Sequence, residues 1–187
     1  RYTMLNNAIT NNLIKQLNMS LANVESIDII VSFIQETGFY QIEELLKEAT
    51  MRKIPVRIIT STYLSITDPT ALSLLFYTPQ NISTYIYSGS APSFHPKAYF
   101  FYSKKIEDSM LFIGSSNLSK AALTNGIEWN YRIDGSRDKE AILSYKSEFD
   151  SIITRETVEL DREILNQYSK SYRVNKDAMK DIARSYY

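Results

Sequence analysis

Five side chains in residues 93–130 could together work on a phosphate: His95, Lys97, Ser115, Asn117 and Glu128. His95-Pro96-Lys97 opens an apolar run, Ala98-Tyr99-Phe100-Phe101-Tyr102, which reads as a buried strand. Alternate side chains of a strand share a face, so the imidazole and the ammonium are expected to point the same way. Histidine supplies a nucleophile or base, and lysine a fixed cation. A lysine in so aromatic a strand is costly to bury unpaired, so it calls for an anion, and a phosphate is one. Gly114-Ser115-Ser116-Asn117 follows a second apolar run, Met110-Leu111-Phe112-Ile113, and enters a helical pattern of Leu118, Ala121, Ala122 and Leu123. Backbone amides and hydroxyls at such a junction bind phosphate oxygens. Glu128 falls in a third expected strand, 127–134.

Each of these residues also has an ordinary reading. A lone histidine in an apolar strand is commonly a satisfied core residue. Asn117 can cap a helix, Ser115 can serve a turn, and Glu128 can form an ion pair on a sheet face. Trp129 and Tyr131 alternate with Glu128 and Asn130 and are expected in the core. The 14 tyrosines are spread along the whole chain, which points to packing rather than base stacking. It is the combination of the two short pieces, in order, that raises the chemical reading above the ordinary one.

That combination resembles the phospholipase D superfamily, whose signature is His-x-Lys followed by Gly-Ser-x-Asn. Here it is carried by His95, Lys97, Gly114, Ser115 and Asn117. The signature's acidic residue, five positions after the lysine, is replaced by Tyr102. Its loss is common in the nuclease branch, which carries instead a glutamate eleven residues after the asparagine, the place of Glu128. The chain is most similar to metal-independent nucleases of the superfamily, including some type IIS restriction enzymes. It also resembles the phospholipase-D-like domain ahead of bacterial superfamily 2 helicases, through Val31-Ser32-Phe33, Ile66-Thr67-Asp68-Pro69 and Ser93-Phe94-His95-Pro96-Lys97-Ala98-Tyr99. The resemblance runs from about residue 20 to 134.

Composition bounds the rest. The chain has 187 residues, enough for one domain with a substantial core. No apolar run reaches the length of a membrane span, and no secretory leader is visible, so a cytoplasmic, membrane-free protein is expected. The absence of cysteine excludes disulfides and fits a reducing compartment. With one histidine besides, a structural zinc site within one chain is not expected. Net charge is zero, from 21 basic and 21 acidic residues, which argues against a strong nonspecific DNA binder acting alone. Grip on DNA would have to come from a local patch, from dimerisation or from a further domain. The chain begins with Arg1 and is expected to be part of something longer.

The elements that must position these residues follow from periodicity. Helices are expected at 3–19, 35–49, 71–77, 138–153, 158–172 and 175–187, the last capped by Asn175. Strands are expected at 27–33, Val56–Thr60, Ile82–Tyr87, 98–102, 110–113 and 127–134. Asp68-Pro69 marks a helix start. The loop 88–93 comes immediately before His95. The fold class is α/β: a phospholipase-D-like sandwich with a mixed, mainly parallel sheet, helices on both faces and C-terminal helices. Residues 1–155 are expected to form the nuclease domain, and 156–187 a helical extension or connector to a missing domain.

The resemblance implies hydrolysis of a phosphodiester in DNA through a covalent phosphohistidine. It assigns attack to His95 and charge stabilisation to Lys97 and Asn117 with Ser115. It gives Glu128 the role of bonding the histidine and fixing its tautomer, and it requires neither metal nor cofactor. A second histidine must protonate the leaving group, and the chain has only one. The family's answer is a homodimer with the active site on the twofold axis. Partners expected from the resemblance are therefore DNA, a second copy and a covalently linked helicase domain downstream. Two other readings stand beside it: a non-catalytic DNA- or partner-binding module, and a lipase. The family's lipases usually carry two motifs in one longer chain.

Overall fold

The structure is a computed structural model that describes residues 6–78 and 81–185. Its centre is one eight-stranded sheet. In chain order the elements are β1 (Ala8–Ile9), α1 (Leu13–Met19), β2 (Ser26–Val31), α2 (Glu36–Met51), β3 (Val56–Thr60), α3 (Pro69–Tyr77) and β4 (Ile82–Tyr87). Then come β5 (Lys97–Tyr102), β6 (Met110–Gly114), α4 (Lys120–Leu123), β7 (Asn130–Asp134), α5 (Gly135–Glu156), β8 (Thr157–Glu159) and α6 (Arg162–Ser185). The strand order is β1-β7-β6-β5-β2-β3-β4-β8.

The mixed α/β sandwich is as expected, but the sheet is mostly antiparallel rather than mainly parallel. Among the strands of the described residues, only β2–β3 and β3–β4 pair parallel. The reason lies in the connections. Helices α2 and α3 carry the chain back across the sheet between those strands, as a parallel crossover requires. The segments joining β5, β6 and β7 hold only a 3-10 turn (Ile106–Asp108) or the four-residue α4, and those strands pair antiparallel.

Both faces of the sheet are covered. On one, Ile27, Ile29, Tyr99, Phe101 and Phe112 pack with Leu13, Leu17, Phe39, Ile42 and Leu46 of α1 and α2. On the other, Ile30, Ile59, Phe100 and Leu111 pack with Ile142 and Phe149 of α5. Beneath α5 the buried Asp28 carboxylate accepts two hydrogen bonds from Arg57, at 2.8 and 2.7 Å, and Arg57 also donates to Asp150 at 2.8 Å. Burial lifts the Asp28 carboxyl above its ordinary range, against the pull of Arg57.

The N-terminal helix starts at Leu13, not near residue 3, and residues 3–5 of that expectation lie outside the described part. Ala8–Ile9 instead pairs with β7. Asn7 explains why: its amide donates to the Arg132 carbonyl at 2.9 Å and to Asp134 at 3.0 Å, tying the Asn-rich stretch to the sheet edge. Asn12, at φ 49°, sits in the left-handed region that asparagine tolerates.

The C-terminal expectation also changes. Residues 157–159 form β8 on β4, and α6 runs unbroken from Arg162, so the two expected helices are one. Asn175 does not cap it; its amide donates to Ser65 Oγ at 2.9 Å. No proline or glycine lies between 172 and 175 to stop the helix. Leu160, Leu165 and Tyr168 pack with Leu72 and Ile86, so the first part of α6 shares a core with α3 and β4. Pro79 and the last residues expected in the C-terminal helix, 186–187, lie outside the described part.

Candidate active site

The site forms where β2 and β6 end and β5 begins. Two side chains tie it to consecutive residues after β2. Lys97, the first residue of β5, donates from Nζ to Ser32 Oγ at 3.2 Å and to the His95 carbonyl at 2.8 Å. Asn117 accepts, through Oδ1, the Phe33 N–H at 3.1 Å. Because Ser32 and Phe33 are neighbours, the ammonium and the amide are brought to one place. An ammonium has three N–H bonds and an amide nitrogen two. One donor of Lys97 and both of Asn117 Nδ2 thus have no protein acceptor among the described residues.

Burial pushes the Lys97 ammonium below the ordinary lysine range, and the Glu128 carboxylate pulls it back up. Glu128 also adds to the rise that burial imposes on the Tyr99 phenol. Its negative charge therefore acts on both residues of β5 that flank the site.

The Gly114–Asn117 loop is held from three sides. Ser115 N–H donates to the Trp129 carbonyl at 3.1 Å, and Ser115 Oγ accepts the Trp129 N–H at 3.0 Å. The Ser115 hydroxyl donates to the Glu128 carboxylate. Beneath it, buried Ser116 accepts at its carbonyl from Tyr99 Oη at 2.8 Å and at Oγ from Asn130 Nδ2 at 2.9 Å, and donates to the Ala122 carbonyl at 3.0 Å. Gly114 is needed for close approach, not for its φ. A Cβ there would run into the Trp129 carbonyl and the Asn130 side chain.

Several sequence expectations shift. His95 precedes β5 rather than starting it, and it is exposed. It and Lys97 nevertheless line one cleft of about 420 Å³, floored by Ile30, Ala98 and Ile113 and walled by α5. The Gly-Ser-Ser-Asn loop does not enter a helix directly. Helix α4 starts at Lys120 and is capped by Ser119, whose Oγ accepts the Ala122 N–H at 3.2 Å, so Asn117 is not a cap. Glu128 lies before β7, not in a strand, and bonds Ser115 rather than His95. Trp129 and Tyr131 are not core residues: they are 76% and 51% exposed. Tyr102, standing where the signature's acid would be, ends β5 at the far side from Lys97.

Sequence reading did not assign Ser32, Thr67 and Asp68 a part in this site. Ser32 and Ser61 link the ends of β2 and β3, Ser61 Oγ donating to the Ser32 carbonyl at 2.8 Å. Thr67 Oγ1 accepts the Ile34 N–H at 3.2 Å, and Asp68 accepts the Glu36 N–H at 2.8 Å, capping α2 rather than the helix it precedes. The signal available was a serine interrupting the apolar run at 27–33 and the polar pair ahead of Pro69.

The family model described as "Cardiolipin synthase, PLD-like domain" matches residues 13–153. The chain belongs to this phospholipase-D-like family. No curated protein matches it by sequence. Among solved structures it is similar to NucT from Helicobacter pylori, with a TM-score of 0.62 and 20% identity over 82% of this chain and 97% of that one. It is also similar to Nuc from Salmonella typhimurium, a phospholipase D family member, at 0.57 and 18% identity over 79% and 89%. The phosphatidylserine synthase of Haemophilus influenzae Rd KW20 gives 0.61 and 12% identity, with 95% of this chain lying on 44% of that one. At these identities the likeness is one of fold. Among the described residues no helix of this phospholipase-D-like chain is long and apolar enough to cross a membrane.

Proposed function

We propose that this phospholipase-D-like chain is a metal-independent phosphodiesterase that cleaves DNA through a covalent intermediate on His95. The observation that carries the reading is the set of unspent donors at the end of β2: one on Lys97, whose ammonium also bonds the His95 carbonyl, and two on Asn117. Such donors suit the non-bridging oxygens of a phosphodiester, whose negative charge grows as phosphorus is attacked.

In the first step an imidazole nitrogen of His95 attacks phosphorus. A P–N bond forms, the P–O bond to the leaving strand breaks, and the leaving oxygen takes a proton from a second acid. In the second step the same acid, now a base, removes a proton from water. The water oxygen attacks phosphorus, the P–N bond breaks and His95 is restored. The chain has one histidine, so the second imidazole comes from a second copy across a twofold axis. Glu128 keeps the electrostatics of the site balanced against Lys97 and, on closure of the dimer, turns to the imidazole. The unit reaches past residue 155 to take in β8 and the first part of α6, and the rest of α6 leads toward a helicase domain.

A binding module without turnover is the second reading. It is favoured by His95, which among the described residues takes part in a side-chain contact only through its carbonyl, leaving the ring unpartnered. Hydrolysis of DNA and of bis-(p-nitrophenyl) phosphate in excess EDTA, by the chain and by His95→Ala, separates them, with solution mass measured in parallel. EDTA-resistant turnover by a dimer, lost in His95→Ala, is the expected result. Turnover abolished by EDTA refutes the mechanism, and binding without turnover establishes the module.

A further inference from the structure

Of the exposed aromatic pair beside the site, Tyr131 lies on the same cross-strand row as the floor of the cleft. Opposed residues of paired strands share a sheet face. Tyr131 is opposite Ile113, Ile113 opposite Ala98, and Ala98 opposite Ile30. The last three are the floor of the cleft that His95 and Lys97 line. The same row thus leads out of the cleft, past the cover of α5, to Tyr131. Trp129 stands two residues earlier, which continues the alternation one pleat toward the phosphate loop.

Trp129 is fixed at its backbone and open at its side chain. Its N–H and carbonyl both bond Ser115, at 3.0 and 3.1 Å, yet the residue is 76% exposed. Single exposed apolar residues are ordinary, whereas a run of them flanking a site marks an interaction surface. Here the only tryptophan of the chain is held against the loop that would grip a phosphate.

We infer that Trp129, with Tyr131 beyond it, is the platform on which unpaired bases of the substrate strand stack, so that the substrate class is single-stranded nucleic acid. This rests on the phosphodiesterase reading above. Two observations favour bases over other occupants. With a net charge of zero, counterion release contributes little affinity, and stacking supplies an attraction that needs no charge. The platform is one residue from the Glu128–Ser115 contact, within a nucleotide's reach of the phosphate site. A duplex hides the faces of its bases inside the stack, so it cannot use the platform.

The single indole is its own reporter. His95→Ala is titrated with a twelve-nucleotide oligothymidylate, with an abasic oligomer of the same length and with a duplex of that length. Indole emission and the anisotropy of a labelled oligomer are read together. The expected result is quenching by oligothymidylate that tracks anisotropy, and affinity at least tenfold weaker for the abasic oligomer and the duplex. Trp129→Ala in the same background is expected to lose about tenfold in oligothymidylate affinity, with Trp129→Phe recovering most of it. Oligothymidylate binding that leaves emission unchanged and is equal in Trp129→Ala overturns the platform and leaves the phosphodiesterase reading standing. Failure of every oligomer to bind by anisotropy removes both. Emission that shifts with protein concentration alone, with Trp129→Ala turning a dimer into a monomer, shows a second copy on this surface and also overturns the proposal.

Discussion

Asn117 offers a sharp separation of structural from chemical work, because its two amide atoms have different tasks. Oδ1 accepts the Phe33 N–H at 3.1 Å, while Nδ2 has no acceptor among the described residues and is the atom proposed to meet the phosphate. Asn117→Asp keeps an acceptor for Phe33 but replaces the donor with a negative charge. Two like charges about 4 Å apart at an effective dielectric of 20 repel by about 4 kcal/mol. That corresponds to a loss of about 10³ in kcat/KM. Asn117→Ala removes the acceptor instead. An N–H left without its partner costs about 1–2 kcal/mol when partly buried. In a chain of this length that lowers Tm by about 3–6 °C. The assays are hydrolysis of bis-(p-nitrophenyl) phosphate in excess EDTA and thermal unfolding by circular dichroism. Asn117→Asp is expected to be nearly as stable as the parent and almost inactive; Asn117→Ala is expected to lose both stability and activity. A kcat/KM for Asn117→Asp within threefold of the parent would refute the assignment of Nδ2 to the phosphate. An unchanged Tm for Asn117→Ala would refute the role given to the Phe33 contact.

Two further outcomes follow from charge. Burial lowers the Lys97 ammonium, so the alkaline limb of kcat/KM is expected below the ordinary lysine value of 10.5; Glu128→Gln removes the upward pull and moves that limb to lower pH, and a limb that stays put refutes the coupling. Arg57→Met leaves the buried Asp28 carboxylate without its partner and costs about 3 kcal/mol, the low end for breaking a buried pair because the Arg57 side chain is 33% exposed. The Asp28 pKa, already raised in the folded state, rises further. The folded state then binds the proton that the unfolded state has released, so the penalty grows as pH rises through the folded pKa and shrinks in acid. Urea unfolding at pH 4 and pH 7 checks it, and a penalty equal at both refutes the argument.

Much of this chain could be read before any coordinates. Val56–Thr60 and Ile82–Tyr87 are strands within the bounds that their patterns suggest, because β-branched and aromatic runs between turn residues leave little else to form. The pieces bearing His95, Lys97, Ser115 and Asn117 were also legible, since local order and spacing carry them. Glu128 was singled out by its distance along the chain, but its bond to Ser115 was not foreseen, because the alternation around it suggested a strand that begins two residues later.

What only the tertiary structure decided is which neighbours those residues meet. Periodicity says that 27–33 is apolar; it does not say that Ser32 and Phe33 will receive Lys97 and Asn117 from positions 65 and 84 residues away. It marks Trp129 and Tyr131 as core candidates because alternation is blind to where a sheet ends. On the outer side of β7 the described residues place the two-residue β1, and Trp129 and Tyr131 lie outside the cleft that α5 walls, where both are more than half exposed. The direction of the strands is settled the same way, by the length and kind of each connection. Side-chain type and order specify the chemistry that is available. The long-range pairing of strand ends determines which groups are spent on one another and which are left for a substrate.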